Sequence, residues 1–328
     1  MPRKLVVEFT KMQGAGNDFL VLNNRFFHFS REELSAIARR YCTRRFGIGA
    51  DGLLALGSSD EADFSMIYVN ADGSAATMCG NGARCLALYA VRAGVGGPEV
   101  TFTTDAGRYH AQVLAPPSEP RASSRSPGAP DAEERVRLFV PDPERWTPNV
   151  GLDRPLPDGL DPVHYIWTGT HHVVGFVDAV EGAPIETWGP HIRHDPAMEP
   201  EGTNLNLVQI LPTEDGSPPA IRVRTFEKGV EAETLACGTG VLASAVTTAR
   251  HLQQIEARAT VPMPLPSDER PAGDGDGLAE AGPILVETRG GPMTVGRGPS
   301  GDRSDHLYLE GPVASVFRGT FEWDPRET

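Results

Sequence analysis

A chain of 328 residues, 39% of them hydrophobic, is long enough for two ordinary domains with a buried core in each. Its net charge of -14 excludes general nucleic-acid binding, which needs a basic face, and four cysteines in such a length make no disulfide framework. No apolar run approaches the roughly 20 residues that cross a bilayer, and the N-terminus leads straight into the strand-like KLVVEFTKM without a signal peptide, so a reducing cytoplasm is the expected setting.

In chain order, Leu5 to Asn23 reads as a strand, a glycine turn and a second strand. Gly14 and Gly16 allow unusual backbone angles there, and Asn17 and Asp18 can bond to the turn. Ser30 and Glu33 make a capping box ahead of EELSAIARRYC, a helix expected to end near Cys42, itself a packing residue. FGIGADGLLAL and a strand, FSMIYVN, then deliver Asn70 into NADGSAATMCGNGARCLALYAV, Asn70 to Val91. This stretch reads as a polar turn, Cys-Gly-x-Gly and an apolar small-residue helix. Ala115 to Glu134, rich in Pro, Ser and Ala and without apolar period, reads as an insertion at or near a domain boundary. HYIWTGTHHVVGFV, His164 to Val177, and GTNLNLV follow. EKGVEAETLACGTGVLASAVTTA, Glu227 to Ala249, then repeats the first cysteine unit with Cys237 in the place of Cys79. A second insertion, Pro262 to Gly282, separates it from the strand signals ILVET and LYLEGPVASVFRGTF.

The repeated unit suggests chemistry. Cys-Gly-x-Gly leading into a helix places the thiol at the helix N-terminus, where unpaired N–H groups and the helix dipole stabilise negative charge. Such a thiol is expected to titrate low and to exchange a proton readily. Gly80, Gly82, Gly238 and Gly240 let a ligand approach those N–H groups and anchor a carboxylate. A buried cysteine is more often an inert small hydrophobe, but packing alone does not require the same Gly-flanked cysteine twice. A Cys79–Cys85 disulfide is disfavoured, because six helical positions turn the two side chains about 240° apart. No His, Cys or Asp spacing reads as a metal site, and no lysine among Lys4, Lys11 and Lys228 sits in a setting that suits PLP.

MQGAGNDF, FGIGADG, NADG with MCGNGARC, and the later FEKG with ACGTG, in that order and over nearly the whole chain, resemble the diaminopimelate epimerase family. The resemblance implies a PLP-independent isomerase without cofactor that interconverts LL- and meso-diaminopimelate, and a homodimer. It implies an α+β fold of two similar domains, each a curled, mostly antiparallel β-sheet wrapped around a central helix, with the active site in the cleft between them. The expected domains are 1–134 with about 314–328, carrying Cys79, and 135–313, carrying Cys237. Cys79 and Cys237 are the implied catalytic pair, one a thiolate base and the other a thiol acid. Asn17, Asn70 and Asn204 would read the distal end of the substrate. Gly80, Asn81, Gly238 and Thr239 would offer N–H groups to the reacting carboxylate. Glu227 matches the family's Glu-Arg-Gly, whereas Lys228 stands for the arginine expected to hold the α-carboxylate, keeping the charge and losing the two-pronged contact. His172 matches the histidine of Gly-Asn-Pro-His, with Thr170 in the place of its asparagine; a structural histidine is the competing reading. Alternatives are a related racemase of another amino acid, a thiol redox or sensor protein, and an idle amino-acid-binding protein.

Overall fold

Residues 4–114, 134–160, 162–214, 216–260, 277–298 and 307–327 are described by the computed structural model. Both proposed insertions fall largely outside them, at 115–133 and 262–276. The chain separates into two compact units, Met1–Val140 with Glu310–Thr328, and Pro141–Leu309. Among the described residues, no helix is long and apolar enough to cross a membrane.

The first unit begins with the hairpin β1 (Leu5–Gly14) and β2 (Asn17–Asn23). Its turn is shorter than the sequence suggests: only Ala15 and Gly16 lie between the strands, both with positive φ, 50° and 88°, as a primed hairpin turn demands. Asn17 and Asp18 belong to β2, and their side chains reach other segments rather than the turn. A Cβ at Gly14 would be tight, 3.1 Å from Cys85 Sγ and 3.2 Å from the Asn81 carbonyl oxygen. A short helix, α1 (Asn24–Phe27), leads to α2 (Arg31–Tyr41), where Ser30 Oγ accepts from Glu33 N–H and the Glu33 carboxylate accepts from Ser30 N–H. Ser30→Ala should lower stability by about 1 kcal/mol, the usual worth of an N-cap, which a thermal melt would register.

The rest of this unit is β3 (Gly52–Gly57), β4 (Phe64–Asn70), β5 (Ala75–Ala76), α3 (Gly80–Arg92), β6 (Glu99–Thr104), β7 (Gly107–Leu114) and β8 (Glu134–Val140). The second unit contains β9 (Glu144–Thr147), β10 (Val163–Trp167), β11 (His171–Phe176), α4 (Ile185–Arg193), β12 (Asn204–Leu211), β13 (Ala220–Glu227), β14 (Ala232–Thr234) and α5 (Gly238–Thr260). It continues through α6 (Leu278–Ala281), at the end of the second insertion, β15 (Ile284–Thr288) and β16 (Gly291–Arg297). A long last strand, β17 (Leu307–Trp323), pairs antiparallel with β1 from Leu5↔Trp323 to Gln13↔Ala314.

Strand pairing repeats from one unit to the other. In the first, β1–β2 is antiparallel, β2–β3 parallel, β3–β4 and β4–β5 antiparallel, β4–β6 parallel and β6–β7 antiparallel. In the second, β10–β11, β11–β12, β12–β13, β13–β14, β13–β15 and β15–β16 follow the same series of senses. The registers agree residue by residue. Phe19 lies beside Gly52 and Leu54 faces Tyr68; His172 lies beside Asn204 and Asn206 faces Thr225. Asn17 therefore corresponds to Thr170, Leu54 to Asn206, Asn70 to Glu227 and Cys79 to Cys237.

Each cysteine precedes the helix that its sheet encloses. α3 packs on β1, β2, β3, β4, β7 and β8, and α5 on β10, β11, β12, β13, β15 and β16. The N-terminal turns of both helices have no solvent face, which is why their residues are small or apolar nearly all round. Ala83, Cys85, Leu86, Ala87, Leu88 and Ala90 are buried in α3, as are Val241, Ala243, Ala245, Val246 and Ala249 in α5. On the other face of the first sheet, Leu34 and Ile37 of α2 pack with Leu20, Leu22, Leu53 and Trp323. In the second unit Ile185 and Ile192 of α4 pack with Leu205, Leu207 and Phe226.

Candidate active site

Cys79 is the N-cap residue of α3, in extended conformation, with its carbonyl accepting from Ala83 N–H at 2.8 Å. The polar turn and β5 set its approach, and Gly80 opens the helix. The first-turn N–H groups converge there, as at any helix start. Beneath the turn the packing is apolar: a Cβ on Gly82 would lie 3.1 Å from Leu54 Cδ2 and 3.4 Å from Phe19 Cζ.

The Asn81 side chain is spent inside the protein. Nearly fully buried, it donates to Asn17 Oδ1 at 2.6 Å and accepts from Arg84 Nη2 at 2.7 Å, so what it can offer a ligand is backbone. Asn17 Nδ2 in turn donates to Asp51 Oδ2 at 3.0 Å, and Asp51 also binds Arg44 and the Asp18 N–H. Asp18 bridges Arg44 and the buried Lys11. Charges on both sides hold the loop before β3 against the hairpin. Asp18 is thereby kept below the usual carboxylate range, the bonds from Arg44 and Lys11 outweighing burial. Arg84 is fully buried on α3, and burial lowers its guanidinium to about 10, partly opposed by the nearby Cys85 and Cys79. Asn70, at the end of β4, donates to Ser74 Oγ at 3.0 Å.

Around Cys237 the surroundings differ. Its carbonyl accepts from Val241 N–H at 2.8 Å, and its sulfur lies 3.3 Å from Thr239 Oγ1 and 3.4 Å from Gly240 N, which donates to it. Burial chiefly, and then the bonded Glu227 carboxylate, push this thiol well above its ordinary range. That corrects the expectation of a low-titrating thiol at both helix starts: the Gly240 N–H and Thr239 bonds pull downward but are outweighed. Burial and Glu227 thus favour the thiol form of Cys237. Glu227 is itself raised by burial, against hydrogen bonds to Cys237 and Thr234. Because its negative charge raises the thiol, Glu227→Gln should shift Cys237 ionisation to lower pH. Thiolate absorbance titrated in a Cys79→Ser background would read that shift.

His172 is completely buried on β11, flanked by two asparagines of the parallel neighbour β12. Asn206 Nδ2 lies 3.0 Å from its Nδ1 and Asn204 Nδ2 lies 3.4 Å from its Nε2. Burial, with help from the charge of Lys228, lowers the imidazole to about 3, so the ring is neutral at working pH. Asn204 Oδ1 accepts from Lys228 N–H at 2.8 Å. The Lys228 amine, just past β13, is lowered by burial and by Arg193. Thr170 sits in the β10–β11 turn, its carbonyl accepting from Thr168 N–H at 3.2 Å.

Cys79, Gly80, Asn81 and Asn17 thus come together in one unit, as do Cys237, Gly238, Thr239 and Glu227 in the other, where Asn204, Lys228 and His172 form a second group. Cys42 and Cys85 lie in the cores, their thiols raised by burial, and none of the four cysteines is in a disulfide. Sequence reasoning missed Asp51, Arg44 and Asn206. Asn206 was within reach, because two residues along a strand return to the same face. The grip of Asp51 on Asn17 joins distant segments and leaves no local signal.

The sequence profile described as "Diaminopimelate epimerase" matches residues 9–119 and 164–269, stretches that hold every residue of the candidate site. The chain is 35% identical over 314 residues to the diaminopimelate epimerase of Chlorobaculum tepidum, covering 94% of this chain and 99% of that one. It is likewise 35% identical to that of Aquifex aeolicus over 335 residues, 95% of this chain and 97% of the relative. Solved structures share the mixed, mostly stranded fold. A Bacillus anthracis phenazine biosynthesis protein of the PhzF family matches with TM-score 0.60 at 17% identity, over 97% of this chain and 99% of that chain. A probable proline racemase from Agrobacterium radiobacter K84 matches with TM-score 0.55 at 16% identity, over 97% and 94%. With two Gly-flanked cysteines at helix starts and relatives matched along nearly their full length, this isomerase belongs to the diaminopimelate epimerase family.

Proposed function

We propose that the chain interconverts LL- and meso-diaminopimelate by two-base proton transfer at the α-carbon, in the supply of lysine and peptidoglycan precursors. The observation that carries this is the duplicated cysteine with unlike neighbours. Glu227 lies against Cys237 and favours its thiol form, whereas the residue that corresponds to Glu227 in the first unit is the neutral Asn70. For one stereoisomer, the Cys79 thiolate takes the α-proton and the Cys237 S–H returns one to the opposite face. The other stereoisomer runs the exchange backwards. The carbanion between these steps is a weak spot, for an α-proton is very weakly acidic. N–H groups of Gly80, Asn81, Gly238 and Thr239 supply the stabilisation by holding the carboxylate, in a site from which water is excluded. Asn17, Asn70 and Asn204 take the far end of the substrate, and Lys228 meets the charge of its α-carboxylate.

This reading assigns each unit one of the two catalytic cysteines, in a PLP-independent cytoplasmic enzyme. It also makes the enzyme a homodimer, a reading supported by exposed apolar side chains on β1 and β17, namely Leu5, Val6, Val316 and Phe317. Lys228 and Thr170 favour one second reading, a racemase of the same mechanism acting on another amino acid. Exchange of α-hydrogen in D2O, with LL- and meso-diaminopimelate beside proline and histidine, separates the two. Deuterium entering diaminopimelate alone supports the first; deuterium entering only another amino acid moves the substrate; exchange with none overturns both.

A further inference from the structure

His172, Asn206 and Thr225 form a polar group beneath the start of α5, where the corresponding residues under α3 are Phe19, Leu54 and Tyr68. All three polar side chains are buried. Burying such groups in place of apolar ones costs stability unless their hydrogen bonds are satisfied, so their arrangement is informative.

The orientation of both amides is set by groups whose roles are fixed. Asn206 Nδ2 donates to the Val173 carbonyl at 3.2 Å, and its Oδ1 accepts from Thr225 Oγ1 at 2.9 Å. The Lys228 N–H can only donate, so Asn204 must turn its Oδ1 toward it, at 2.8 Å. Both asparagines therefore present an NH2 to the imidazole. A neutral imidazole can accept at one nitrogen only; the other carries a hydrogen. Asn206 at 3.0 Å has hydrogen-bond geometry, whereas Asn204 at 3.4 Å is long for an N–H···N bond.

We infer that Asn206 is a positioning residue that fixes His172 as its Nε2–H tautomer, which leaves the Asn204 amide hydrogens for the substrate. In the opposite tautomer, the Nε2 lone pair would draw Asn204 Nδ2 to itself. His172 then acts as a fixed neutral spacer, with no lone pair facing Asn204 to take a proton. The low basicity imposed by burial is consistent with this. The inference rests on the proposed contact of Asn204 with substrate. The tautomer itself does not depend on that contact.

The test uses the full-length enzyme with 15N-labelled histidine, His172 being assigned by its loss in His172→Gln. Near neutral pH the wild type should show a protonated Nε2 and an unprotonated Nδ1. Asn206→Asp offers Nδ1 an acceptor of nearly the same shape. It should move the hydrogen to Nδ1 and raise KM for diaminopimelate about tenfold, the worth of one substrate hydrogen bond, with a smaller change in kcat. Asn206→Leu removes the bond without imposing the other tautomer; a merely structural role would make both variants fail alike. A wild-type ring protonated at Nδ1, or at both nitrogens, overturns the inference, as does an unchanged tautomer or KM in Asn206→Asp. Should Asn206→Asp not fold, the wild-type spectrum decides. An enzyme that turns over no diaminopimelate sinks the proposed function, while the ring nitrogens still report the tautomer.

Discussion

Cys237→Ser and Cys79→Ser are each expected to remove epimerisation, by at least about a thousandfold, within the range that positioned acids and bases contribute. The two failures should differ in kind. In the proposed mechanism Cys237 delivers the proton in one direction and takes it in the other, and burial with Glu227 favours its thiol form. A serine there is a far weaker acid and cannot supply the second proton, yet Cys79 remains to take the first. Cys237→Ser should therefore retain some α-proton exchange with one stereoisomer while losing its conversion to the other, and Cys79→Ser should show the reverse preference. Deuterium exchange and net epimerisation, measured separately on LL- and meso-substrate, check this. Cys42→Ala and Cys85→Ala should leave both rates near wild type, since those thiols lie in the cores. Equal loss from a core cysteine would mean that the thiol chemistry has been misplaced.

Gly240→Ala should be as damaging as its counterpart, Gly82→Ala, is mild. A Cβ at position 240 would overlap Asn206 Oδ1 and lie 3.1 Å from Thr225 Oγ1 and 3.2 Å from Cys237 Cβ. Those atoms belong to a buried, fully engaged polar group, so none can yield without breaking a bond. Relief must come from the backbone of the cysteine turn. Displacing a reacting group by about 1 Å costs on the order of a hundredfold in rate, and overpacking of this kind costs about 1–3 kcal/mol of stability. At position 82 the nearest atom is the end of a leucine, 3.1 Å away, which can rotate aside by a few tenths of an ångström. Gly82→Ala should keep activity within about tenfold, the factor that 1.4 kcal/mol represents. Thermal melts and kcat/KM on the two variants, side by side, test the contrast.

Local signals made much of this molecule legible. The capping box of Ser30 and Glu33 marked the start of α2, and the glycines beside Cys79 and Cys237 marked two helix starts. Apolar runs such as LALYAV and VLASAV announced the enclosed stretches of two helices. What escaped depends on partners far away in sequence. Asn17 looked like a turn residue because its bonds to Asp51 and Asn81 span 34 and 64 positions. The elevated Cys237 thiol escaped for a related reason: helix geometry argues for a low value, and only the enclosing sheet and Glu227 reverse it. Asn206 was passed over because an asparagine within a strand carries no motif of its own.

The pairing of β1 with β17 bears on how the chain comes to be folded. Leu5 must find Trp323, and Gln13 must find Ala314, so the first unit closes only after everything between has been made. Contacts of such long separation form late, because loop closure must be met before they return anything. On a ribosome, β1 has β2 beside it from the outset, yet its other edge stays open until the last segment emerges. An open edge is a template for wrong partners. A nascent chain stalled before Leu307 is then a molecule with a standing edge, and C-terminal truncation should show itself first as aggregation rather than as a change in catalysis.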